Sequence, residues 1–412
     1  MRRAVAALAV LVLVGLGCDP DGTVVSPASV PQRALVVARE PDSCAPPPAD
    51  LAEAAVDAAR LLRLDAVHLL ATGTDQTIAV VDTGVSPHER LSGRLRGAGD
   101  FLGAGDGRSD CDGHGTAVAG LLAAAPGPAD DLVGMAPDAT VLTIRQTSRV
   151  ATGGGRGRPA GDVGTLAEAV VLAVERGATV INLSEAACLT PQRAARDGAV
   201  LQAALRLASR RDVVVVAAAG NIGVGGCTGG APAGEVSLPG WFADDVLTVA
   251  ATGPDDAPAP FTVPGPWVDV AAPGTGLRSL AVGGGLTGSG VEGTSFAAPW
   301  VAGLAALVRE RFPELTAREV VDRILASARR PAGGQNTLVG HGVIDPLAAL
   351  TAEPALLRPD RDPSPSPAVL DGTGRTTPPP EHRPPLELLA LAALAGTTGA
   401  GAAFLRRRAG RP

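Results

Sequence analysis

Residues 77–84 read TIAVVDTG: small and β-branched apolar residues run without interruption into an acid, a threonine and a glycine. A strand buried on both faces reads as a continuous apolar run rather than an alternating one, so this stretch predicts a central strand of a covered parallel sheet. The same grammar recurs in ATVLTI (139–144), ATVINLS (178–184), VVVVAAAGN (213–221), VLTVAAT (246–252) and WVDVAAPG (267–274). Helical patterns lie between and after them: HGTAVAGLLAAA (114–125), TLAEAVVLAVERG (165–177), an Ala-, Leu- and Arg-rich segment over 192–210, and WVAGLAALV (300–308) following GTSFAAP (293–299). Strand and helix in alternation predict an α/β domain with a largely parallel sheet. In such sheets, sites gather at the carboxyl ends of the strands.

Four chemically capable residues fall at those ends or at helix starts. Asp82 closes the first strand, His114 opens a helix in DGHGTAVAG, Asn221 ends VVVVAAAGN, and Ser295 stands at the head of the last apolar helix. Alone, each has an ordinary structural explanation, a turn acid or amide or a helix cap. Together they supply a complete set for acyl transfer. A serine hydroxyl is a weak nucleophile at neutral pH and needs an imidazole to take its proton, and the imidazole needs a carboxylate to fix its tautomer. A side-chain amide such as that of Asn221, beside the Ser295 N–H at the positive end of a helix, would receive the negative charge that develops on the attacked carbonyl. The order Asp, His, Ser along the chain is one of the known orders of such triads.

The 412 residues carry a formal charge of −7 and 46% hydrophobic residues, enough for a sizeable core. All 35 basic residues are arginines, and they are scattered, which argues against a nucleic-acid partner. Residues 1–17, MRRAVAALAVLVLVGLG, have the charged start and short apolar run of an export signal, so 1–18 is expected to be a signal peptide. Cys18 follows in VGLGC, but Gly15 fits a lipid-attachment site poorly and ordinary cleavage nearby is the simpler reading. Residues 353–385 contain PSPSP and TTPPPEHRPP, a semi-rigid tether. Residues 386–405, LELLALAALAGTTGAGAAFL, have the length of a membrane-crossing helix, and RRR at 406–408 favours a cytoplasmic tail over 406–412. A further stretch, RVATGGGRGRPAGDVG (149–164), reads as a long surface loop.

These motifs resemble the subtilisin family of serine proteases and, more narrowly, the mycosins, membrane-anchored proteases of type VII secretion systems. The resemblance covers roughly residues 44–352 and rests on IAVVDTG, CDGHGTAVAG, VINLS, VVVAAAGN, WVDVAAPG, GTSFAAPWVAGLAALV and GHGVIDP. It implies a subtilisin-like three-layer sandwich with a mainly parallel sheet, a C-terminal transmembrane helix, catalytic Asp82, His114 and Ser295, and Asn221 in the oxyanion hole. It also implies an N-terminal extension over 19–70 wrapping a peptidase domain at 71–352, a single-pass protein of the cell membrane with the catalytic domain outside the cytoplasm, and exported protein substrates. Mycosins are associated with the integrity of the secretion membrane complex as well as with processing, so a mainly structural part with incidental proteolysis is the alternative. No cofactor is implied.

Export favours disulfides, and with Cys18 set aside Cys44, Cys111, Cys188 and Cys227 allow three pairings. The resemblance favours Cys44 with Cys111 and Cys188 with Cys227. No histidine stands at metal-ligand spacing to these cysteines, so no metal site is expected, and APGPADDLVGMAP (125–137) lacks the Asn-rich calcium loop of secreted subtilisins. In the strand bordering the substrate groove, Ser184 is followed by Glu185, Ala186 and Ala187 where subtilisins usually have a leucine and two glycines. The extra methyls crowd the groove, and the Glu185 carboxylate is expected to favour polar or basic substrate side chains.

Overall fold

The computed structural model describes residues 56–353 apart from 129, 153–158 and 289. The expected signal peptide, the extension before residue 56, the linker beyond 353, the candidate span 386–405 and the tail lie outside the described residues. No helix among the described residues is long and apolar enough to cross a membrane.

The first half of the chain forms α1 (Ala58–Leu61), α2 (Leu64–Val67), β1 (Thr77–Asp82), β2 (Leu95–Asp100), α3 (His114–Ala123), β3 (Thr140–Arg145), β4 (Ser148–Thr152), β5 (Pro159–Ala160), α4 (Val163–Glu175) and β6 (Val180–Leu183). It continues through β7 (Ala187–Leu189), α5 (Pro191–Asp197), α6 (Ala199–Arg210), β8 (Val214–Ala218), β9 (Val236–Leu238), β10 (Leu247–Thr252), β11 (Val270–Pro273), α7 (Thr294–Arg311), α8 (Ala317–Ser327) and α9 (Pro346–Thr351). Seven strands form one sheet in the order β11-β10-β8-β6-β1-β3-β2, and every pairing in it is parallel. β1 is central, with Val81 opposite Ile144 of β3 and Leu183 of β6.

The apolar runs divide by alternation, as a period of two requires. Ile78, Val80, Val216, Val249 and Val270 face a core shared with α3, α7, α8 and α9. Ala79, Val81, Ile181, Leu183 and Val215 face the opposite core, shared with α4 and α6. This is the expected three-layer α/β sandwich. α7 is the longest helix among the described residues, buried continuously from Phe296 to Val308. α1 and α2 belong to the first core as well: Leu62, Leu64 and Val67 are at most 1% exposed. Each such side chain contributes roughly 1.5–3 kcal/mol by its burial. Just before them, the Val56 N–H donates to the Gly276 carbonyl at 2.9 Å.

The structure departs from the sequence reading in three places. β2, LRGAGD, has no apolar run, since only Ala98 in it is buried; its pairing with β3 shifts register between Gly97 and Gly99. The segment 192–210 is two helices rather than one, divided at Gly198, where a Cβ would meet the Ala194 carbonyl at 2.5 Å. The stretch 149–164 is not loop throughout, since β4 and β5 pair antiparallel at its ends.

Candidate active site

β1 delivers Asp82 to the carboxyl edge of the sheet with its carboxylate fully buried. Oδ1 accepts from His114 Nδ1 at 2.7 Å and from the Thr83 N–H at 2.7 Å. Because the carboxylate can only accept, Nδ1 carries a proton, and in the neutral imidazole Nε2 is left with its lone pair. His114 is 9% exposed.

The DTG and HGT motifs lock together around an acid that sequence reasoning did not single out. Asp110, 2% exposed, accepts at Oδ1 from the Thr83 hydroxyl and the Gly113 N–H, both at 2.8 Å. Its Oδ2 accepts from the Thr116 N–H at 2.8 Å and the Thr116 hydroxyl at 2.6 Å. The Thr83 hydroxyl in turn accepts from the Gly115 N–H at 2.9 Å. The first N–H groups of a helix have no partner within it, and here a carboxylate and a threonine supply the acceptors for α3. Gly115 is glycine for a steric reason: a Cβ would collide with the Gly84 carbonyl and press on the Asp82 carboxylate.

α7 brings Ser295 to the same edge as its second residue, following Gly293 at φ 140°, a conformation in the region that favours glycine. Phe296, the next residue, packs its ring 5.0 Å from the His114 imidazole, centroid to centroid. The Asn221 Oδ1 accepts from the Thr294 N–H and hydroxyl, both at 3.0 Å, and so ties the loop after β8 to the start of α7. With Oδ1 engaged, the amide NH₂ is the end of Asn221 left to donate. Pro299 lies inside α7 and has no N–H to offer the Ser295 carbonyl four residues earlier. The Ser184 hydroxyl, just past β6, donates to that carbonyl at 2.8 Å and accepts from Asn182 Nδ2 at 2.8 Å. Ser184, expected to border the substrate groove, therefore has its hydroxyl turned to the backbone of Ser295.

Glu185 stands closer to the imidazole than its place in the groove suggested. A carboxylate oxygen of Glu185, a nitrogen of His114 and an oxygen of Asp82 all lie within 4.8 Å of one another. Two carboxylates and an imidazole at this spacing have the donor set of a metal site, but the His114 Nδ1 is already committed to Asp82. Burial of His114 works against its protonated form, yet the charge and hydrogen bond of Asp82, helped by Glu185, prevail and raise its pKa to about 9. Glu185 is pushed up to about 7, first by burial and then by the nearby Asp82 charge. Ala186 and Ala187 continue past it into β7, which pairs antiparallel with β9.

Cys188 and Cys227 form a disulfide that joins β7 to the loop following Asn221. Cys111 is also disulfide-bonded, and its expected partner Cys44 lies outside the described residues.

Residues 73–342 match the model of the subtilase family. Mycosin-4 of Mycobacterium tuberculosis is 43% identical over 345 residues, covering 79% of this chain and 75% of the relative. Among solved structures, the MycP3 protease from the type VII (ESX-3) secretion system superposes with a TM-score of 0.73 at 37% identity, covering 82% of this chain and 99% of that one. A chain of an intact ESX-5 inner membrane complex gives a TM-score of 0.69 at 32% identity, covering 93% of this chain and 99% of that one. With a subtilase domain and mycosin relatives along most of its length, the chain belongs to the subtilase family of serine endopeptidases and, within it, to the mycosins.

Proposed function

We propose that this endopeptidase cleaves exported proteins at a type VII secretion membrane complex, through an acyl-enzyme intermediate carried by Asp82, His114 and Ser295. The observation that carries the reading is the 2.7 Å bond from His114 Nδ1 to the buried Asp82 carboxylate, made on the edge of the sheet where Ser295 opens α7. In this reading His114 Nε2 takes the Ser295 hydroxyl proton as Oγ attacks the substrate carbonyl. Asn221 Nδ2 and the Ser295 N–H hold the resulting oxyanion. The imidazolium then gives its proton to the departing amine, leaving an acyl-serine, and a water activated by the same imidazole hydrolyses it. Asp82 holds the imidazole tautomer and offsets the positive charge of the imidazolium. The segment 386–405 anchors the catalytic domain to the outer side of the membrane.

A second reading is favoured by the likeness to a chain of the ESX-5 inner membrane complex: a mainly structural part of the secretion machine. Ser295→Ala separates the two. Loss of substrate processing with secretion retained supports the enzymatic role, whereas secretion lost only on deletion of the whole chain supports the structural one.

A further inference from the structure

Past the end of β6 lies a pocket of about 160 Å³ whose walls include Val163, Leu166, Ala186, Leu201 and Leu238, with Glu185 among them. The walls are largely aliphatic. Among the described residues Asp162 is the other charged residue at the pocket, and no arginine lines it.

Glu185 is unusual in this setting. It is only partly exposed, and among the described residues nothing donates a hydrogen bond to its carboxylate. It also stands within 4.8 Å of the Asp82 carboxylate, a like charge. Among the described residues the charged groups around it are Asp82 at the end of β1, His114 opening α3, Asp112 just before α3, and Arg149 on β4. Arg149 is exposed, and its backbone N–H donates to Asp112 at 2.7 Å. A carboxylate left without donors in a partly desolvated site is an unfavourable arrangement in the free protein, and one that a cationic ligand relieves.

We propose that Glu185 makes this pocket a recognition site for a lysine or arginine side chain of the substrate, the methylene stem lying along the aliphatic walls and the charged head meeting the Glu185 carboxylate. Lysine and arginine combine an apolar stem with a polar head in the way this pocket asks. Because Glu185 adjoins His114, the basic residue lies close to the scissile bond. The inference rests on the protease reading and deepens it, naming the substrate feature that the site selects.

Two further consequences belong to the same geometry. The cation recognises the ionised carboxylate, and burial together with Asp82 holds Glu185 up at about 7. Preference for a basic residue therefore strengthens as pH rises through neutrality. Protonation of His114 affects basic and neutral peptides alike, so the ratio of their kcat/KM values isolates Glu185.

The test uses internally quenched peptides varied at the three positions on either side of the cleavage site, each offered with lysine, arginine, norleucine or glutamate. The expected result is one position at which lysine or arginine exceeds norleucine in kcat/KM by about tenfold or more, the scale of one charge-assisted hydrogen bond. That ratio collapses in Glu185→Gln and turns toward glutamate in Glu185→Arg. It rises between pH 6 and pH 8.5 in the unsubstituted enzyme and stays flat in Glu185→Gln, a pattern that mere loosening of the groove does not produce. Cleavage with no basic preference at any position, or a preference untouched by both substitutions, overturns the assignment and leaves the protease reading standing. Cleavage that persists in Ser295→Ala overturns both.

Discussion

Ser184 and Pro299 offer a quantitative test of how the start of α7 is held. In an α-helix the N–H of residue 299 would reach the carbonyl of residue 295, but proline has none. The Ser184 hydroxyl, donating at 2.8 Å, takes its place. Ser184→Ala therefore leaves the Ser295 carbonyl without this donor and also strips Asn182 Nδ2 of the acceptor it has at 2.8 Å. Asn182 is fully buried and its Oδ1 already lacks a partner, so the site has little slack. One lost bond amounts to about 1 kcal/mol, and a buried group left unpaired to about 1–3 kcal/mol. Ser184→Ala is thus expected to lower stability by about 2–3 kcal/mol, allowing for the partial burial of the Ser295 carbonyl. Pro299→Ala restores a helical N–H aimed at that carbonyl. In its background the loss of the Ser184 hydroxyl should hurt less, by about 1 kcal/mol, because only Asn182 is then stranded. The assay is urea unfolding of the four proteins of this double-mutant cycle at one pH, with kcat/KM followed in parallel. A coupling within about 0.3 kcal/mol of zero would refute the reasoning, since it would mean that Ser184 does not supply what Pro299 withholds.

The raised pKa of His114, about 9, predicts a kcat/KM that climbs with pH and reaches half its plateau near that value, because only neutral imidazole accepts the serine proton. Replacing Asp82 with asparagine leaves desolvation to dominate and moves the half-point acidward by more than about one unit; a limb that stays in place contradicts the assignment. The sign for stability runs the opposite way. The folded state favours imidazolium, so this contribution is complete below about 6.5 and is lost as pH rises through about 9, which unfolding midpoints across that window would register. For Asn221, Asn221→Asp retains the oxygen that receives both Thr294 donors but loses the NH₂, so kcat should fall by about 100- to 1,000-fold with the melting temperature little changed; a smaller loss argues against an oxyanion role.

Much of the fold was legible because strands covered on both faces announce themselves locally. TIAVVD and VVVVAAA need no knowledge of their neighbours to be read as central strands. β2 was invisible for the converse reason: only Ala98 in it is buried, so it has no apolar run to show. Within the site, Asp82, His114, Asn221 and Ser295 could be picked out by residue type and by the small residues flanking them. Asp110 could not, because Asp110 and Asp112 both precede His114 closely and nothing local separates them. In three dimensions Asp110 turns inward to Thr83 and Thr116, whereas Asp112 reaches the Ser148 hydroxyl at 2.5 Å and the Arg149 N–H. The nearness of Glu185 to the imidazole was hidden for a different reason. It follows from register: Val81 pairs with Leu183, so the residues after Leu183 emerge beside Asp82, but that requires knowing that β1 and β6 are neighbours.

The same register explains why a helix, and not a loop, carries the serine. In a parallel sheet every strand releases its chain at one edge, so β1, β6 and β8 give out at a common level, with Asp82 and Ser184 there and Asn221 three residues past the end of β8. A helix packed beneath that edge can exchange hydrogen bonds with several strand ends at once. α7 does so: Thr294 bonds Asn221, the Ser295 carbonyl takes Ser184, and the Gly220 N–H donates to the Thr294 hydroxyl at 3.1 Å. Its continuous burial from Phe296 to Val308 fixes the axis, leaving little freedom at its first turn. The side chains on which acyl transfer depends are thus held by backbone geometry that the core itself determines, and electrostatic stabilisation of this kind works only when its donors are fixed before the charge appears. A serine on a mobile loop would have to be ordered during each turnover, whereas here the ordering is accomplished when the sheet and α7 pack.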